Sequence, residues 1–117
     1  MEVALSISAK GAIATSSADI RALAEACESL PYTTYRGHAE RATYVQFLMH
    51  AKNVATYLDT LSRIRGDVSL LLPAVKVELR RALVRCEYMP DGGMHSRLKS
   101  RLLCAQERVE AVNGGMR

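Results

Sequence analysis

Apolar residues recur along most of the chain at three- and four-residue spacing, the mark of helices that each bury one face. Ile20, Leu23, Ala24 and Cys27 predict a helix over residues 16–30, with Ser16 as its cap, Asp19 three residues on and Pro31 as its stop. Residues 38–65 hold a helical pattern throughout, in which Val54, Leu58, Leu61 and Ile64 share a face. So long an uninterrupted helix is unusual in a globular chain, and the polar run His50-Ala51-Lys52-Asn53 is the expected break, with Asn53 as the next cap. A short helical turn over 68–72 then meets Pro73, which suits the first position of a new helix. That helix places Val75, Leu79, Ala82, Leu83, Cys86 and Met89 on one side and Lys76, Arg80, Arg81 and Arg85 on the other. Residues 90–93 are a turn by composition, and residues 32–37 a loop. The last helix, 94–112, buries Leu98, Leu102, Ala105 and Val109 and ends at Asn113-Gly114-Gly115. The expectation is an all-α chain of five or six short helices in antiparallel pairs. Residues 1–15 alternate only weakly and read as a flexible extension, leaving 16–117 as a single helical-hairpin domain.

The tripeptide Arg65-Gly66-Asp67 is either an adhesion motif or the joint between two helices. Arg63 and Arg65 complement a helix C-terminus, Gly66 suits the residue just past the helix end, and Asp67 suits a cap. Local stop-and-start chemistry accounts for all three residues.

Composition narrows the picture. In 117 residues, 49% are hydrophobic and 24% charged, which predicts one folded domain and not a disordered chain. With one Phe, five Tyr and no Trp, the core must be filled by Leu, Val and Ala, which favours closely approaching helices. Cys27, Cys86 and Cys104 are an odd, widely spaced set on apolar faces, which argues for free thiols in a reducing compartment and against a disulfide framework or zinc site. No basic-then-apolar leader and no membrane-length apolar run is legible, so the expected location is the cytoplasm.

Catalytic chemistry is not legible. His38, His50 and His95 lie far apart and read as surface or capping residues. No Cys, His and Asp set has catalytic or metal-ligand spacing, and the paired glycines lack the context of a phosphate loop. The expectation is a non-enzyme with no cofactor and no metal. Two surfaces remain. The net charge of +4 is uneven, with eleven basic and six acidic residues in 61–117. Arg80, Arg81, Arg85, Arg97 and Arg101 on the last two helices make a candidate phosphate-binding face, as in small all-α silencing suppressors that bind double-stranded RNA. Tyr44, Phe47, Leu48, Tyr57, Leu61, Leu70 and Leu71 are more apolar residues than one small core needs, and make a candidate groove for a partner helix.

Several landmarks, read in order, resemble the tetratricopeptide-like chaperone of the type III secretion needle subunit. They are LAEA (23–26), HAERA (38–42), LSRIRGDVSLL (61–71), CEY (86–88), SRL (96–98) and the closing RVEAVNGGMR (108–117). They span residues 22–117. The N-terminal extension has no counterpart, the family's glycine near residues 50–53 is absent, and so is a Trp ahead of Cys86. The resemblance implies a degenerate tetratricopeptide-like array, although no 34-residue repeat is legible. It also implies a cytosolic chaperone that covers the apolar face of the needle subunit before export, stabilised by a small helical co-chaperone.

Overall fold

The computed structural model describes residues 2–29, 38–87 and 93–114. It contains four helices, α1 (Ile7–Glu28), α2 (His38–Arg63), α3 (Leu71–Cys86) and α4 (Gly93–Gly114), with no strand beyond one isolated bridge among those residues. Successive helices run antiparallel. Ser17 Oγ donates to the Ala55 carbonyl at 2.6 Å, Arg85 Nε reaches Gln46 Oε1 at 3.3 Å, and Lys76 Nζ lies 3.8 Å from Glu110 Oε2. The circuit closes where Arg108 Nη1 donates to the Ala12 carbonyl at 2.9 Å and to Ser16 Oγ at 2.6 Å, tying α4 back to α1. The four helices therefore form a closed bundle of 47 × 20 × 18 Å, not an open array of five or six short helices.

Each helix contributes a strip to one core. Ile13, Ile20 and Ala24 of α1 meet Tyr44, Phe47, Val54 and Leu58 of α2, Val75 and Leu79 of α3, and Leu98, Leu102 and Val109 of α4. Fully burying a Leu, Ile, Val or Phe side chain stabilises the fold by about 1.5–3 kcal/mol, so this strip is the main cohesive force. Each buried side-chain nitrogen and oxygen among the described residues has a partner. At one end of the bundle the Tyr44 hydroxyl donates to the Cys27 carbonyl at 2.5 Å and meets the His95 ring edge-on, with centroids 4.9 Å apart.

The expected flexible extension is instead structured. Ser6, not Ser16, caps α1 by accepting from the Ala9 amide at 3.0 Å, and the helix runs on through Gly11. Alanine-rich sequence makes this a good helix without an obvious apolar stripe. Ser16 and Ser17 look like caps but lie buried inside α1, where Arg108 and the Ala55 carbonyl satisfy them. Ahead of the helix, Val3 and Leu5 are buried, and Ala4 forms the bridge with Asp67. The break expected at residues 50–53 is also absent. His50 pairs with Glu78, Ala51 enters the core and Lys52 pairs with Glu28, so neighbouring helices take up the polar run.

The joint between α2 and α3 matches its sequence. Gly66 has φ +99, the only positive φ among the described residues. Asp67 Oδ1 accepts from the amides of Val3 at 2.8 Å and Ser69 at 3.0 Å, while Oδ2 accepts from the Ser69 hydroxyl at 2.8 Å. These bonds, led by the one from Val3, hold the carboxyl below its ordinary value. Asp67 thus caps the turn and clamps the N-terminal segment, though α3 itself starts at Leu71. Pro73 is the third helical residue, still within the first turn where an amide would lack an acceptor. Residues 32–37 and 90–92, read as loop and turn, lie outside the described residues, as does the closing Gly115.

Two outcomes are expected on stability. Gly66→Val should cost about 1–3 kcal/mol in denaturant unfolding through backbone strain, since open space surrounds the missing Cβ. Leu5→Ala should cost about 2 kcal/mol as a lost core contact, whereas a free tail would give no change.

Candidate functional site

Of the residues read as a partner groove, most are core. Tyr44, Phe47 and Leu61 have no exposed surface and Leu48 is buried, while Tyr57 and Leu71 pack against the core. The apparent surplus of large side chains was an underestimate of what four long helices need to fill their centre. Leu70 alone stands clear, 92% exposed at the start of α3.

Leu70 belongs to a different apolar surface. Pro73, Val77 and Val84 follow it at intervals of three, four and seven residues, which puts all four on one side of α3. Val77 is 42% and Val84 45% exposed, and Pro73 is exposed. The opposite side of the same helix buries Leu72, Val75, Leu79, Ala82 and Cys86. At 1.5 Å per residue the outer stripe is about 21 Å long. Arg80 and Arg81, both exposed, flank it. The signal was present in the sequence as a valine seven residues from a valine on the side otherwise read as basic.

A buried polar cluster fixes one flank of the stripe. Glu78 lies between α2 and α3 with its side chain 8% exposed. His50 Nδ1 of α2 sits 2.9 Å from Glu78 Oε2, and Arg81 Nη1 donates to Oε1 at 2.8 Å. Burial raises the Glu78 pKa, but the bonds from His50, Arg81 and Asn53 outweigh it and hold the carboxyl below its ordinary value. Arg85 Nη1 donates to the Arg81 carbonyl at 3.1 Å, and its Nε reaches Gln46. The guanidinium of Arg81 is thus anchored at the edge of the outer face by a carboxylate that α2 holds in place. The reading of His50 as a surface or capping residue is corrected accordingly. His95 is half-buried, and desolvation lowers its pKa.

The five arginines read as one phosphate-binding face are spread around the bundle. Arg81 and Arg85 lean toward α2, Arg80 borders α4 beside Gln106 and Glu110, and Arg97 and Arg101 line the seam with α1 beside Asp19. Arg101 lies 3.9 Å from Asp19. The five therefore line three different seams of the bundle instead of one continuous face.

Among the described residues no group of three or more His, Cys, Asp or Glu side chains could hold a metal ion. Cys27 and Cys86 are buried and Cys104 is partly buried; none of the three is in a disulfide, and burial pushes the Cys27 thiol pKa up. No helix among the described residues is long and apolar enough to cross a membrane. Comparison with protein-family models, with curated proteins and with solved structures finds no match.

The polar groups set a definite acid response. A depressed carboxyl pKa contributes stability that is present above the ordinary value and lost as pH falls through the folded value. A depressed histidine pKa likewise favours the fold above 6.5 and costs stability below it. Melting temperature should therefore fall first below pH 6.5, through His95, and again below 4.5, through Glu78. His95→Phe should remove the first decline and leave the second, as read by melting curves across the pH series. His50→Ala, which strips Glu78 of a buried partner, should cost about 3 kcal/mol at neutral pH.

Proposed function

We propose that the chain is a type III secretion chaperone that holds the needle subunit in the cytoplasm and prevents its premature polymerisation, acting together with a small helical co-chaperone. The observation that carries the proposal is the outer stripe of α3. A helix already buried on one side exposes a second apolar line, Leu70, Pro73, Val77 and Val84, of the kind that accepts a partner's amphipathic helix. The sequence landmarks supply the identity of that partner, since a needle subunit is a small helical protein that polymerises by packing amphipathic faces. Such a function requires no catalytic group, cofactor or metal.

Part of the expectation drawn from the resemblance is retained and part is moved. The antiparallel pairs α1–α2 and α3–α4 are read as two helical hairpins, closed on each other through α1 and α4 and not stacked as an open array. In this reading the binding surface lies on the outer side of α3 and not in a groove built of Tyr44, Phe47, Leu48, Tyr57, Leu61, Leu70 and Leu71, because all of these but Leu70 lie in or against the core. Arg80 and Arg81 then act as charged flanks that set the register of a bound helix, a role compatible with their separation from Arg97 and Arg101.

The test is co-expression with a needle subunit followed by affinity capture. The double variant Val77→Asp, Val84→Asp should retain the circular dichroism and melting profile of the parent within a few degrees, because both positions face solvent. Capture of the needle subunit should fall at least about tenfold, as two charges placed in an apolar contact are desolvated without partners. Undiminished capture would remove the outer stripe from the function.

A further inference from the structure

At the end of the bundle away from Tyr44, the start of α1 and the end of α4 border an open cleft of about 390 Å³. Its walls are Leu5, Ala9, Ala12, Ile13 and Val112, with the Arg108 guanidinium as the charged group. The volume falls within the range of small-molecule sites, roughly 300–1,000 Å³, which are mostly apolar with a few placed polar groups. Arg108 is partly buried, and its bonds go to two neutral oxygens, the Ala12 carbonyl and Ser16 Oγ. No carboxylate among the described residues pairs with it. The positive end of α1 borders the same cleft, and its first turn contains no acidic residue to offset it. Ser6 takes the Ala9 amide, leaving that of Ser8, a lining residue, without an acceptor inside the helix.

We propose that this cleft binds the carboxylate end and proximal chain of a fatty acid. The carboxylate meets Arg108 and the open end of α1, while the acyl chain lies along the alanine and aliphatic walls. An acyl chain suits those walls better than a peptide does. A peptide would bury amides against side chains that, among the described residues, offer only Ser6, Ser8 and Arg108 as polar partners. The proposal does not depend on the role of the outer face of α3.

Decanoate and decanol, each below its aggregation threshold, are the probes, titrated calorimetrically into the full chain. Decanoate should bind more tightly than decanol by roughly tenfold, the scale of one charge-assisted contact, and lose that advantage at high salt. Arg108→Met should abolish the difference, and Arg108→Lys, which keeps the charge and serves as the folding control, should restore much of it. Ala111→Phe, an exposed lining position, should block both probes while leaving the circular dichroism unchanged. Equal affinity for decanoate and decanol, or decanoate binding unaffected by Ala111→Phe, would overturn the proposal. So would failure of decanoate where a short peptide with an apolar C-terminal residue binds and is lost in the same variants, which would assign the cleft to a protein partner.

Discussion

Burying the carboxylate of Glu78 between two helices places a demand on everything around it. An ionised group in that position is tolerated only if its oxygens are fully bonded, and here one goes to His50 of α2 and the other to Arg81 one turn further along α3. Satisfying it fixes the register of α3 on α2. It turns a polar run that looks like a helix break into the middle of a helix of 26 residues. It also holds a guanidinium at the edge of the outer face of α3. Register, helix continuity and the charged flank of the proposed partner site thus share one buried group. The arrangement has a cost in acid, where protonating Glu78 removes the reason for both bonds.

How much of this was legible depended on whether the signal was local. The joint at Arg65, Gly66 and Asp67 was readable because helix stops, left-handed glycine and side-chain capping are decided within a few residues, and Gly66 does take φ +99. The buried strips of α3 and α4 were readable because Leu and Val repeat at helical spacing. The start of α1 was not. Ala9, Ala12 and Ala14 give no apolar contrast, and Ser16 beside Asp19 imitates a helix cap. The real partner of Ser16 is Arg108, and that of Ser17 is the Ala55 carbonyl, both from distant parts of the chain. The clamp between Val3 and Asp67 is separated by 64 positions and leaves no local trace beyond the carboxylate itself.

The same distinction explains the fate of the two candidate surfaces. Counting large apolar residues on α2 suggested a surplus, but whether Tyr44 or Phe47 is spare depends on how many helices close over it. The answer here is that α1, α3 and α4 all do. Proximity in sequence likewise made one basic patch of Arg80, Arg81, Arg85, Arg97 and Arg101, whereas the bundle turns them toward three different seams. Among what the fold leaves exposed is the quieter pattern of Leu70, Pro73, Val77 and Val84, alongside Ile7, Val45, Met49 and Leu103 on the other helices. The proposed type III chaperone reading rests on that stripe, which differs in kind from a groove. An outer helix face can accept a partner while the core stays intact.

The two possibilities separate most directly in a methyl-resolved NMR titration of the protein with a needle subunit. Binding on the outer face predicts shifts concentrated at the methyls of Leu70, Val77 and Val84, with those of Leu48, Val54 and Leu58 unmoved. Large shifts at Leu48 and Leu61, with Val77 and Val84 unchanged, would mean that the bundle opens to receive its partner inside, and would contradict the account given for α3.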